Sequence, residues 1–114
     1  MSKALNFNTV KKQYLTVTLA DDKKTTLMIG TPTKSVMNDL VLLQASVEAI
    51  NDDTNPEVID DLYRACAKVM SRNKAGLEIT KEALEEIFDI EDITIFFNAY
   101  MEFLDEVMSA NSKN

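Results

Sequence analysis

The sequence predicts a mainly α chain with an N-terminal β-hairpin: an α+β arrangement in which the hairpin is followed by about four helices. Three observations carry this expectation. Two glycines and two prolines in 114 residues leave little material for irregular loops or barrel turns. Residues 13–19 and 25–29 alternate between apolar and polar side chains, the period of a half-buried strand. From Thr33 onward apolar residues recur at spacings of three and four, the period of a helix. With 46% hydrophobic and 27% charged residues, the chain has ordinary globular composition and suits a single domain over 1–114. A chain of this size buries roughly two-thirds of the surface its unfolded form exposes, enough for a real core.

Residues 1–11 carry little apolar pattern and are expected to be a flexible entry. The hairpin is expected over 12–29. Leu15, Val17 and Leu19 lie on one face of its first strand, and Tyr14, Thr16 and Thr18 on the other. Ala20-Asp21-Asp22-Lys23-Lys24 forms a polar turn without the Asn-Gly or Asp-Gly pair of a two-residue loop. The helical body spans 33–109. Its first helix starts from Thr31-Pro32 or from Thr33 and runs to about Asn51, with a stripe of Val36, Leu40, Leu43, Val47 and Ile50. Met37, Val41 and Leu42 fall outside that stripe, so this helix is either central in the domain or used between subunits. Asn55-Pro56 opens a second, cleanly amphipathic helix to about Arg72, with Cys66 inside its apolar arc as a small buried side chain. Gly76 sits in the connection, Thr80 caps a short third helix, and Asp89 or Asp92 opens a fourth over about 91–109. On that last helix the apolar residues from Ile93 to Met108 cover roughly 160° at ~100° per residue, wider than one packing contact needs. Residues 110–114 are expected to fray.

Composition excludes several chemistries. The chain has no histidine and one cysteine, so it offers no histidine-based nucleophile or metal site, no internal disulfide and no paired-cysteine motif. No segment approaches the ~18 apolar residues of a membrane span, and the start MSKALNF lacks a secretory apolar region, so a cytosolic setting is expected. The formal charge is −7, which disfavours nucleic acid and anionic membranes as partners. That charge is polarised. Residues 1–34 carry six lysines against Asp21 and Asp22, a balance of +4, while the remaining residues carry six basic against seventeen acidic groups, a balance of −11.

Three constellations invite a functional reading. Residues 71–82 imitate a calcium loop with Gly76 at its sixth position, but Ser71, Asn73 and Ala75 then stand where carboxylates are needed, so a plain connector is expected. Glu82, Glu85, Glu86 and Asp89 share a helical side, as a solvated acidic face or a docking surface. Lys11, Lys12, Lys23 and Lys24 either guard strand edges or dock on an acidic surface, such as that acidic face in another copy. On the last helix, Phe96 and Phe103 occupy one shoulder of the apolar arc and Met101 and Met108 the other. With Met37, Val41 and Leu42 they are the candidate partner-binding residues, since methionine-rich surfaces adapt to varied partners.

The order of elements carries a resemblance. Tyr14–Lys24 leads through Leu27-Met28-Ile29-Gly30-Thr31-Pro32-Thr33 into a long helix. Leu77-Glu78-Ile79-Thr80-Lys81-Glu82-Ala83-Leu84-Glu85-Glu86-Ile87-Phe88 and the aromatic Ile93–Phe103 follow. Over roughly residues 12–108 this resembles the tail assembly chaperones of long-tailed phages and prophages of Gram-positive bacteria. The resemblance implies a protein without catalytic activity or cofactor, acting in the bacterial host cytoplasm and left out of the mature virion. Such a chaperone binds the tape measure protein, keeps it soluble and helps recruit tail tube protein. Its polarised charge suits head-to-tail contacts, which give a homo-oligomeric ring or spiral. A structural virion protein, such as a head–tail connector or tail completion subunit, is the alternative. A small acidic regulatory protein is a more distant one.

Overall fold

The computed structural model describes residues 12–19, 21–48 and 56–111. Its elements in chain order are β1 (Leu15–Thr18), β2 (Thr26–Ile29), α1 (Lys34–Glu48), α2 (Pro56–Met70), α3 (Lys81–Ile87) and α4 (Ile90–Asn111). The hairpin followed by four helices is therefore present among the described residues, as the sequence predicts.

β1 and β2 pair antiparallel, with Leu15 opposite Ile29 and Thr18 opposite Thr26. The pleat places Leu27 and Ile29 in the core and turns Thr16, Thr18, Thr26 and Met28 outward. Asp21 closes the turn. Its carboxylate accepts from the Thr25 N–H at 2.9 Å and the Thr25 hydroxyl at 2.7 Å, and its carbonyl accepts from the Lys24 N–H. This clamp replaces the missing Asn-Gly signal. Lys24 takes a φ of 51° to complete it.

The helix starts follow local chemistry. Thr33 rather than Thr31 precedes α1: its carbonyl accepts from Met37 N–H at 2.9 Å, and its hydroxyl lies 3.5 Å from Val36 N. Thr80 caps α3, accepting from Ala83 N–H at 3.1 Å. Asp89 caps α4 reciprocally. It accepts from Asp92 N–H at 2.8 Å, while the Asp92 carboxylate accepts from Asp89 N–H at 3.2 Å. α4 continues through Asn111, so residues 110 and 111 belong to the helix rather than to the frayed tail expected from Ala110. The expected entry at 1–11, the end of α1 near Asn51, the Asn55 cap and residues 112–114 lie outside the described residues.

α2, not α1, is the central element. It packs against α1, α3, α4 and β2, and it buries Leu62, Tyr63, Ala65, Cys66, Ala67, Val69 and Met70. One hydrophobic cluster joins the hairpin to all four helices. Burial pushes the Cys66 thiol up to about 12, so it stays protonated and inert, as its place in the apolar arc predicts. The connection between α2 and α3 is stapled by side chains. Asn73 donates to the carbonyls of Met70 and Leu77 and accepts from Leu77 N–H. Ser71 donates to the Ala67 and Ile79 carbonyls and accepts from Ile79 N–H. Two positions that would ligate in a calcium loop are thus committed to backbone.

The same connection docks on the outer edge of β2. Gly30 N–H donates to Arg72 O at 3.0 Å, and Lys74 N–H donates to Met28 O at 2.9 Å. From the other side, the Tyr100 hydroxyl of α4 donates to Gly30 O at 2.8 Å. Among the described residues, no helix is long and apolar enough to cross a membrane.

Candidate functional site

α1 and α4 each pack on α2 but have little packing against each other, which leaves a groove between them. The groove has a volume of about 650 Å³. Its apolar lining is Met37 from α1 with Met101, Leu104 and Met108 from α4. Three of the chain's six methionines therefore meet in one place. Met37 and Met101 are half-buried and pack against the core, Leu104 is buried, and Met108 is 61% exposed. Gln44 and Asn98 supply amides, and Glu102 and Asp105 supply carboxylates; among the described residues, no lysine or arginine lines the groove.

The helical period explains this convergence. Met101 and Met108, seven residues apart, share one stripe of α4 at ~100° per residue, and Met37 and Gln44 share one stripe of α1 in the same way. The two stripes flank the buried faces of their helices, so both side-chain rows rise at the edges of the core and face the gap.

The other sequence-named residues distribute differently. Phe96 and Phe103 are buried, at 6% and 8% exposure, so they are core residues and not the partner-binding residues expected of them. The physical reason is an aromatic row. Both rings flank Tyr100 with centroids 5.9 Å away, and the hydroxyl of Tyr100 is held by Gly30. Burial pushes the Tyr100 phenol above its ordinary value, so it remains a donor. Of the two shoulders of α4, the methionine shoulder is the open one. Val41 is 51% exposed and Leu42 71% exposed, but Leu42 lines a separate cleft between α1 and α2, with Asp39, Asp61, Arg64 and Lys68 around it.

The acidic set named from the sequence is not one free face. Glu85 pairs with Lys81, and Asp89 caps α4, whereas Glu82 and Glu86 remain exposed on α3. Lys81 instead joins α3 to α2 by an ion pair with Asp60. The hydrogen bond from Lys81 holds the Asp60 carboxyl below its ordinary value, and the same bond raises Lys81.

The basic set also divides. Lys23 and Lys24 stand at the hairpin turn, while Lys12 lies at the opposite end of β1, in a shallow concavity with Tyr14, Arg72 and Lys74. Arg72 is held by a 2.8 Å bond from its Nε to Thr31 O, and Lys74 Nζ sits 5.7 Å from the Tyr14 ring centre. Lys11 lies outside the described residues. Sequence reading missed the contribution of Arg72 and Lys74 to this basic corner. The alternation of the hairpin places a strand there but does not say which loop covers its edge.

Among the described residues, no three histidine, cysteine, aspartate or glutamate side chains cluster closely enough to hold a metal ion. Comparison with protein-family models, with curated proteins and with solved structures finds no match to this chain.

Proposed function

We propose that this chain is a tail assembly chaperone of the long-tailed phage type. In this reading it is a protein without catalytic activity that binds the tape measure protein in the host cytoplasm, keeps it soluble and helps bring tail tube subunits to it. The observation that supports this best is the groove between α1 and α4. An open groove in which three methionines and Leu104 stand beside four polar side chains suits a protein that holds an amphipathic client reversibly. The sequence resemblance over residues 12–108 supplies the identity of the client.

Self-association belongs to the same proposal. The basic corner at Lys12, Arg72 and Lys74 and the exposed Glu82 and Glu86 of α3 are complementary surfaces on different parts of the chain, the arrangement that gives rings or spirals. The test is co-expression with a cognate tape measure protein. Wild-type chain is expected to keep that protein in the soluble fraction and to be missing from purified virions. A Met101→Asp, Met108→Asp variant is expected to lose the solubilising effect while remaining folded by circular dichroism. A tape measure protein that is equally insoluble with and without the chain contradicts the proposal. Retention in purified virions favours a structural virion component instead.

A further inference from the structure

The groove also states what kind of segment it takes, an inference that rests on the client-binding reading above. α2 packs against both α1 and α4, and the space between α1 and α4 is open. Met37, Met101, Leu104 and Met108 give that space its apolar lining, Gln44 and Asn98 its amides, and among the described residues the ionised side chains lining it are the carboxylates Glu102 and Asp105. Both carboxylates are exposed, on the outward part of α4. Neither forms an ion pair with any described residue. We propose that the α1–α4 groove binds an amphipathic helix of a partner protein whose apolar stripe is flanked by lysine or arginine.

The apolar stripe would cover Met37, Met101 and Met108, the helix-in-groove mode of recognition. The flanking cations would lie beside Glu102 and Asp105. An acidic helix of the same apolar pattern would meet like charge on both the groove and the −7 chain as a whole. Charge thus selects among apolar helices, while the methionines tolerate differences in their side chains.

The experiment uses the full chain and two labelled synthetic peptides with one leucine stripe, flanked in one by lysine and in the other by glutamate. Fluorescence anisotropy reads binding at low and high salt. The lysine peptide is expected to bind roughly tenfold or more tightly at low salt, with the gap narrowing as salt screens it. A Glu102→Lys, Asp105→Lys variant is expected to reverse the preference. A Met101→Ser, Met108→Ser variant is expected to weaken both peptides. Equal binding of the two peptides that still depends on the methionines overturns the charge selection and leaves the client-binding reading standing. Binding of neither peptide, or binding indifferent to the methionine substitutions, overturns both. Light scattering that shows dimers abolished by the methionine substitutions, and not displaced by peptide, makes a second copy the occupant and overturns the proposal.

Discussion

α1 and α2 are both 15-residue helices, yet they use their apolar residues in opposite ways. In α2 the apolar residues form one face, and that face is buried against the hairpin and three helices. In α1 only Leu40 and Leu43 are buried among the described side chains, Val36 and Met37 are half-buried, and Val41 and Leu42 face outward. A helix whose apolar residues exceed its buried face has surface left over for something else. In this protein Met37 of α1 meets Met101 and Met108 of α4 at a groove, while Leu42 lines the separate cleft between α1 and α2. α2 holds the fold together, and α1 and α4 present what it supports.

The contrast is broken most severely at α2. Leu62→Ala is expected to remove about 2–5 kcal/mol of unfolding free energy, because Leu62 is 3% exposed in the middle of the core. Leu42→Ala on α1 is expected to change it by no more than about 0.5 kcal/mol. Urea denaturation of the two variants measures both, and similar losses would contradict the assignment of roles.

A smaller effect is expected where α4 meets the hairpin. Tyr100→Phe leaves the Gly30 carbonyl without its donor and is expected to destabilise by about 1–3 kcal/mol. The buried wild-type phenol is expected to titrate only on alkaline unfolding in an absorbance titration.

At the start of α3, Thr80→Ala is expected to remove about 1 kcal/mol and Thr80→Ser to restore most of it, both read by thermal unfolding.

The smallest effect concerns the Asp60–Lys81 pair, which is partly exposed and screened by water. Asp60 lies below its ordinary 3.8, so its contribution is full above that value and is lost as pH falls through the folded-state value. Lys81 lies above its ordinary 10.5, so its contribution is full below that value and is lost as pH rises through the folded-state value. Asp60→Asn is expected to flatten both limbs of a plot of denaturation midpoint against pH, and unchanged limbs would show the pair to be inert.

Much of the fold is legible in the sequence because it is local. Alternation fixes which face of the hairpin is buried. Thr80 and Asp89 mark helix starts through bonds spanning three residues, and the arc of α2 places Cys66 inside. The candidate site is half legible. Periodicity marks α4 as apolar over more than one contact needs, and it separates Phe96 and Phe103 from Met101 and Met108. It does not say which shoulder the core covers. That choice is made by contacts distant in sequence: Tyr100 reaches Gly30 across 70 residues, and the aromatic row beside it carries Phe96 and Phe103 inward. The Lys81–Asp60 pair and the docking of Arg72 on Thr31 are equally non-local. Counting charges by segment therefore grouped lysines and glutamates that the fold separates.

The most direct test of the central claim is hydrogen–deuterium exchange of the chain, free and bound to a cognate tape measure protein. Slowed exchange concentrated in α1 from Met37 to Gln44 and in α4 from Asn98 to Met108, with α2 unchanged, is the predicted result. Protection centred on the hairpin or on the α1–α2 cleft, with the α1–α4 groove unaffected, would contradict it.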